Sequence, residues 1–583
     1  MNIRYKTVGF VALIAVCSLL IDPYAYNSIT APKNLVFTIG APFLLFFSFL
    51  RIKSIKIGII PILYLLRIAW LALTNPEWLT HPSNDGFYIS VGILCWLIFA
   101  GQLKSDSDKE LFFSVLFWIG IIETAIGIGQ IISYVPNPSF PMKTPFIGTF
   151  GTPNGLGIFL AVSFLSGLYL IYSSLRNYWM GIGTLFLLTG IFLSESRGSL
   201  LALISALVLV LVVIGYHKRS LFKRRWITIS GIVIIGVSSV FLYQADSKST
   251  SGRWMIWEIT GLMISEQPFI GVGQGNYSVE YLIYQAKYFE DPAHTKNEVK
   301  AANIKQAHNE FLQSIAEGGV LSAVLFVLIW VIPFLYLYRR LIKGIDYVLL
   351  TQLAIHTSIF IHALLDSPLH VLPVAIVGYS NIALLSKDRF HIQTKGIKRI
   401  ALLIIVAFYL LFTSVKQLKK YPGHHYWKKG VDHITKLEWR GSVADLNKAL
   451  EYLPNKGEVL HKLGSSHIFI EEYSRGLYYL EESKKYFNDR NIYLSESYGF
   501  IKLKKYKQAE ESAKKALGMF PTHLAPHLML GEIYFYQGRF EESKQFLQKC
   551  IDEDIPIKSI ETKQISEDAK KIWVQFYGIY TVD

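Results

Sequence analysis

The most constraining feature of this chain is a series of apolar runs, each about 20 residues long, that recurs from the N-terminus to about residue 416. At 1.5 Å per residue, such a run matches the roughly 30 Å of hydrocarbon in a bilayer. A single soluble core has no use for so many. Spans are expected near 7–22, 35–50, 57–73, 87–102, 111–134, 155–174, 178–194, 199–216, 226–243, 319–338, 347–366, 369–386 and 398–416. The fold class is therefore all-α, a polytopic transmembrane helix bundle of about 12–13 spans, in which each helix satisfies its own backbone groups. Arg4 and Lys6 precede the first run as they would in a signal peptide, but Asp22-Pro23 and further apolar runs follow in place of a small-residue cleavage site. That run reads as a retained span.

Charge sets the orientation. The net charge of +15 does not mark a nucleic-acid binder, because the basic residues sit in short clusters between apolar runs. Alternate connections carry them: Arg51/Lys53/Lys56, Lys104/Lys109, Arg176, Lys218/Arg219/Lys223/Arg224/Arg225, Arg339/Arg340/Lys343, and Lys387/Arg389/Lys395/Lys398/Arg399. The intervening short connections hold little beyond Lys33, Lys143 and Arg197. By the positive-inside rule the first set faces the cytoplasm, which puts the long polar segment 244–318 outside. An odd span count puts the C-terminal tail outside as well. The three cysteines, Cys17, Cys95 and Cys550, show neither disulfide nor metal-ligand spacing.

From about residue 424 the sequence turns charged and helix-forming. Leu463-Gly464 with Tyr473 and Gly476, Tyr498-Gly499 with Tyr506 and Ala509, and Leu530-Gly531 with Gly538 and Phe540 recur with a period of about 34 residues. This resembles tetratricopeptide repeats, an α-solenoid of helix pairs that bury their apolar faces on one another. By analogy such a tail binds a protein partner. The expected division is 1–420 for the membrane domain, including the loop 244–318, and 424–583 for the repeats.

Chemistry is sought in the external loop, which is too long for a mere connector. Residues 253–265 read as an amphipathic helix, followed by a glycine-rich turn at 271–276 and a second helix at about 302–316 that Gly318-Gly319 stops. His308 borders the apolar face of that second helix, where a neutral imidazole can accept a hydroxyl proton; a hydrogen-bonded interface histidine is the competing reading. Arg197, in Ser196-Arg197-Gly198, opens a span, where a helix N-terminus already repels a cation unless an anion such as phosphate is present. An ion pair with Glu195 or snorkelling to headgroups explains it equally well. Arg253 repeats that placement, so the two guanidiniums together suit a diphosphate; a solvated surface charge competes, and Trp254 and Trp257 read as an interfacial belt. The aspartate pairs Asp106/Asp108 and Asp552/Asp554 read as solvated charge rather than metal ligands. His356, His362, Asp366 and His370 are costly inside a membrane and suit a proton-coupled transporter.

Taken together, Gly148-Thr149-Phe150-Gly151-Thr152-Pro153-Asn154-Gly155, Ser196-Arg197-Gly198, Gly252-Arg253 with Trp257-Glu258, Gly271-Val272-Gly273-Gln274-Gly275 and Ala307-His308-Asn309-Glu310 resemble the O-antigen ligase and polymerase superfamily, which includes protein O-oligosaccharyltransferases. The resemblance implies a multi-pass enzyme of the bacterial inner membrane that moves a glycan from undecaprenyl diphosphate to an acceptor hydroxyl at the periplasmic face, with no metal or other cofactor. It implies that Arg197 and Arg253 hold the diphosphate, that His308 deprotonates the acceptor, and that Asn154 and Glu258 line the donor site. Lipid A-core is the favoured acceptor, as for an O-antigen ligase in lipopolysaccharide biosynthesis; a growing glycan or a protein Ser/Thr are the alternatives. A scaffold that acts through its repeats is a further class.

Overall fold

In a computed structural model the chain is described over residues 4–49, 54–76, 85–100, 105–133, 146–173, 178–218, 236, 247–341, 343–385, 390–393, 396–454, 456–551 and 560–578. Helices dominate it, as the apolar runs require. The membrane part contains α1 (Arg4–Leu19), α2 (Thr30–Phe49), α3 (Ile59–Thr74), α4 (Asp85–Ala100), α5 (Asp106–Ile132), α6 (Pro153–Ser173), α7 (Tyr178–Leu193) and α8 (Arg197–Lys218). The loop region supplies α9 (Ser247–Glu266) and α10 (Tyr277–Phe289), and the chain re-enters the apolar part through α11 (Glu310–Leu341), α12 (Tyr347–Ala363) and α13 (Leu372–Leu385). Five of these helices are long and apolar enough to cross a bilayer, and six more are apolar but shorter. Together they coincide with eleven of the expected spans. The span expected at 226–243 lies outside the described residues except for residue 236, and that at 398–416 lies within α14 (Gly396–Thr435). The chain is a membrane protein.

Connections that alternate in charge also separate in space. Those expected to face the cytoplasm meet one another: β1 (Ser54–Ile57) pairs antiparallel with β2 (Phe390–Gln393), Tyr172 stacks on Tyr347 at 3.9 Å, and His217 Nε2 contacts Leu341 O at 2.5 Å. That two-stranded ladder is the one addition to the helical expectation among the described residues. At the opposite end, Lys33, an exception to the charge rule, is buried; its ammonium donates to Ser18 O at 2.6 Å and Thr149 O at 2.5 Å. Glu123, also fully buried, accepts from the Thr149 N–H at 2.8 Å and the Thr149 hydroxyl at 2.7 Å. Two buried charges are tolerated because Thr149 bonds to both. They fix the turn that leads into α6. Between α5, α6 and α7 the helices approach closely: a Cβ on Gly120 would lie 2.5 Å from Ser163 Cβ, and one on Gly190 would lie 2.7 Å from Thr124 Oγ1.

The sequence reading of a helix over 302–316 is corrected by the structure. Residues 301–309 are irregular, His308 has φ +49°, and the helix starts at Glu310. Asn309 sets that start, since its Oδ1 accepts from the N–H groups of Phe311 at 3.0 Å and Leu312 at 3.1 Å. Replacing Asn309 by Ala should lower stability by about 1 kcal/mol through loss of this cap, measurable as a lower melting temperature in detergent.

The chain divides into two compact units that interleave in sequence: 1–253, 267–274 and 306–421 form one, and 254–266, 275–305 and 422–583 form the other. The boundary read from composition, near 420, kept all of 244–318 with the membrane part; the contacts group most of that loop with the repeats. The repeat unit continues from the end of α14 through α15 (Trp439–Tyr452), α16 (Gly457–Phe469), α17 (Tyr473–Lys484), α18 (Arg490–Lys502), α19 (Tyr506–Met519), α20 (Leu524–Tyr536), α21 (Phe540–Ile551) and α22 (Ile560–Tyr577). Leu437, Glu471, Lys504 and Gly538 adopt positive φ at intervals of about 33–34 residues. Each stands at the turn inside one hairpin, and the next residue bonds back to the fifth before it, as Glu472 N does to His467 O at 3.0 Å and Arg539 N to Tyr534 O at 2.8 Å. A hairpin of α14 and α15, with Trp427 and Leu446 fully buried, thus precedes the three repeats read from sequence.

Candidate functional site

In the first unit, four connections meet at one carboxylate, Asp366, in the turn between α12 and α13. Its Oδ1 lies 2.8 Å from His308 Nδ1 and accepts the Ser367 N–H at 2.8 Å. Its Oδ2 accepts a hydrogen bond from the Asn154 amide and stands 4.0 Å from Arg253 Nη2. Asn154 opens α6, Arg253 lies within α9, and His308 precedes α11. The fourth connection enters through Gly198 of α8, where an added Cβ would lie 3.4 Å from His362 Nε2, one helical turn before Asp366. His362 is 1% exposed, and neither of its ring nitrogens has a hydrogen-bond partner among the described residues.

The Ala307-His308-Asn309-Glu310 run works as a clamp on the 364–370 turn. His308 takes Asp366, Asn309 Nδ2 donates to Leu364 O at 3.1 Å, and Glu310 Oε1 accepts the Leu369 N–H at 2.7 Å with His370 Nδ1 at 3.3 Å. Gln313 continues the network to His370 Nε2 at 3.2 Å and to Glu317 at 3.1 Å, and Gln274 Nε2 donates to Glu317 Oε2 at 2.5 Å. Arg67, a membrane cation that sequence reasoning did not single out, donates to Ser322 Oγ at 3.1 Å and Ser314 Oγ at 3.3 Å.

The glycine-rich turn is part of the same scaffold. Val272 N donates to Ala316 O at 2.8 Å, Gly273 N to Glu317 O at 3.0 Å, and Val320 N to Pro268 O at 2.9 Å. The turn therefore lies against the kink in α11 at Gly319, whose φ of 69° and ψ of −176° end one helical segment and begin the next.

Electrostatics favour an ionised Asp366. Burial pushes its pKa up, but the His308 hydrogen bond and the nearby Arg253 charge outweigh burial and hold the carboxyl well below the usual carboxylate range. A carboxylate on Nδ1 selects the tautomer whose proton faces Asp366 and leaves Nε2 as the base. His308 keeps 34% of its side chain exposed and Arg253 29%, so both are partly accessible, whereas Asp366 keeps 12%. A guanidinium has five N–H donors, more than one 4.0 Å ion pair uses.

The structure thus brings His308, Arg253 and Asn154 together around Asp366, while Arg197 is the first residue of α8, next to the Gly198 that faces His362. Glu258 lies in the other unit, where its Oε2 accepts from Tyr288 OH at 2.6 Å; Tyr288 OH accepts in turn from Asn297 at 2.8 Å. Asp366 carried a signal in the sequence, as an ionisable residue between apolar helices, but that signal pointed to proton transport. Of the companion histidines, His356 contacts Trp330 O through Nε2 at 2.8 Å and stacks on the Trp330 ring. Asp108 caps α5 through Ser105, and Asp552 and Asp554 lie outside the described residues.

Comparisons with known proteins find two families in different parts of the chain. Residues 182–327 match the family model described as O-antigen ligase, and residues 500–554 match that of the tetratricopeptide repeat. No curated protein matches the chain. Among solved structures, the MamA protein matches at 18% identity over 28% of this chain and 98% of its own, with a TM-score of 0.22. YrrB, a TPR protein with an unusual peptide-binding site, matches at 19% identity over 30% of this chain and 93% of its own, with a TM-score of 0.23. The chain therefore joins a membrane segment similar to O-antigen ligases, which holds Arg197, Arg253 and His308, to a tail that carries tetratricopeptide repeats.

Proposed function

We propose that this protein is an inverting, metal-independent glycan transferase of the bacterial inner membrane, acting at the periplasmic face on a glycan linked to undecaprenyl diphosphate. The observation that carries the reading is the His308–Asp366 pair with Arg253 beside it, inside a segment similar to O-antigen ligases. The acceptor hydroxyl attacks the anomeric carbon from the face opposite the diphosphate, its proton passes to His308 Nε2, and the C–O bond to the diphosphate breaks. Asp366 holds the imidazole and balances the charge it gains. Arg253 and Arg197 take the negative charge that develops on the leaving diphosphate, work for which guanidiniums suit because they stay charged and pair with phosphate oxygens. Asn154 positions Asp366 through its amide. Glu258 belongs to loop packing in this reading, since its partner is Tyr288.

The periplasmic assignment is supported by the alternation of charge. The short connections that lead to Asn154 and contain Asp366 are Lys/Arg-poor, and those that meet through β1 and β2 are rich in Lys and Arg. Lipid A-core is the acceptor we favour, with a growing glycan or a protein hydroxyl as alternatives that share the same chemistry. Proton transport along His356 to His370 has less support, because His356 is committed to Trp330.

The test is transfer by the purified protein from a polyprenyl-diphosphate glycan to each acceptor class. Replacing Arg253 by Ala should slow transfer by about 100-fold, with Lys intermediate because it lacks the paired donors. Undiminished transfer by Arg253→Ala would remove the diphosphate clamp.

A further inference from the structure

In a stack of helical hairpins, turns inside each hairpin line one edge and turns between hairpins line the other. Leu437, Glu471, Lys504 and Gly538 mark the first edge. Residues 275–305, which belong to the same compact unit, run along the second. Asn488 Nδ2 donates to Val279 O at 3.0 Å, Gln285 Nε2 donates to Met519 O at 2.8 Å, Asn303 Nδ2 donates to Asp489 Oδ2 at 2.7 Å, and Lys305 pairs with Glu458 at 3.4 Å. These partners come from three consecutive inter-hairpin turns, at the starts of α16 and α18 and the end of α19.

The contact is built, not incidental. Gln285 is fully buried, and while its amide nitrogen takes the α19 carbonyl its oxygen accepts the Ala302 N–H at 3.4 Å, tying α10 to its own return path. Asn488 is 3% exposed, and Tyr281 and Leu282 of α10 are fully buried. A buried amide such as Gln285, with both its donor and its acceptor engaged, specifies register more than apolar contact does, because a slip leaves it unpaired.

We infer that the inter-hairpin edge of the repeats is the docking surface for the chain's own loop, residues 275–305, so that loop and tail share one side of the membrane. A peptide partner is left with the other faces of the array. Within the membrane unit, Tyr421 OH donates to Asp22 Oδ2 at 2.6 Å, which holds α14 to the connection between α1 and α2. In sequence, the docked stretch is bracketed by Arg253 and His308. The inference goes beyond the proposed chemistry, and its test needs no substrate.

A Cβ added at Gly518 would stand 3.6 Å from Ala286 Cβ, inside the span of about 3.5–4.5 Å that a disulfide bridges. In the full-length Ala286→Cys/Gly518→Cys chain, mild oxidation of native membranes should link the two positions, identified as one disulfide-joined peptide pair by mass spectrometry. No linkage, while each single variant keeps the parent melting temperature, overturns the inference. A second pair covers the case in which those variants do not fold. Lys296→Cys and Gln508→Cys, both at exposed positions, should react with a membrane-impermeant maleimide from the same side of the membrane. Reaction from opposite sides also overturns it.

Discussion

Asp366→Asn is expected to lower glycan transfer by about 10²–10⁴-fold without unfolding the chain. Asparagine keeps the size of the side chain but removes the charge, so in the proposed mechanism the imidazolium formed when His308 takes the acceptor proton loses its counter-ion, and the tautomer is no longer dictated. The measurement is single-turnover transfer from a polyprenyl-diphosphate glycan, paired with a melting curve. A variant within about threefold of the parent rate would reduce Asp366 to a structural role. The pH dependence follows from the depressed carboxyl. A group whose folded pKa lies below its unfolded value adds stability that is complete above the ordinary value of about 4, and that is lost as the pH falls through the depressed value. The Asp366 contribution should therefore hold on the acid side until below about pH 4, and Asp366→Asn should flatten the part of the acid loss due to this group.

Gly319→Ala is expected to cost about 3–5 kcal/mol, enough to abolish accumulation of folded protein at physiological temperature. At φ 69° and ψ −176° the backbone occupies a region that is nearly closed to residues with a side chain. The added Cβ would also lie 1.9 Å from Phe269 O and 2.2 Å from Phe269 C, where backbone must move. That displacement pushes the 268–274 turn off the kink of α11 and breaks the hydrogen bonds from Val272 and Gly273. Gly344→Ala is the control, because a Cβ there meets nothing within 4 Å. Yield and melting temperature in detergent decide the matter: equal values for the two variants would mean that the turn is not held as described.

Much of the architecture was legible in the one-dimensional pattern. Apolar runs marked eleven helices of the bundle because burial in lipid demands length and hydropathy at each segment separately. Lys and Arg alternation sorted the connections, and the recurrence of Gly464, Gly499 and Gly531 marked the repeats, because each hairpin meets the same neighbour geometry. Local rules failed at His308. Its neighbours have helical character, yet the cap at Asn309 and the positive φ at His308 turn the chain out of the helix to reach Asp366.

The sequence by itself determined the helical class, the membrane setting, the repeat tail and the short motifs around Arg197, Arg253 and His308, all of which depend on residues close to one another in the chain. Only the tertiary structure decided which carboxylate pairs with His308, that Asn154 joins it, and that most of the loop groups with the repeats. Asp366 is 58 residues from His308 and 212 from Asn154, and Gln285 is 234 from Met519. No periodicity reports pairings at such separations, because they arise from the way whole helices stack and not from the preferences of any segment.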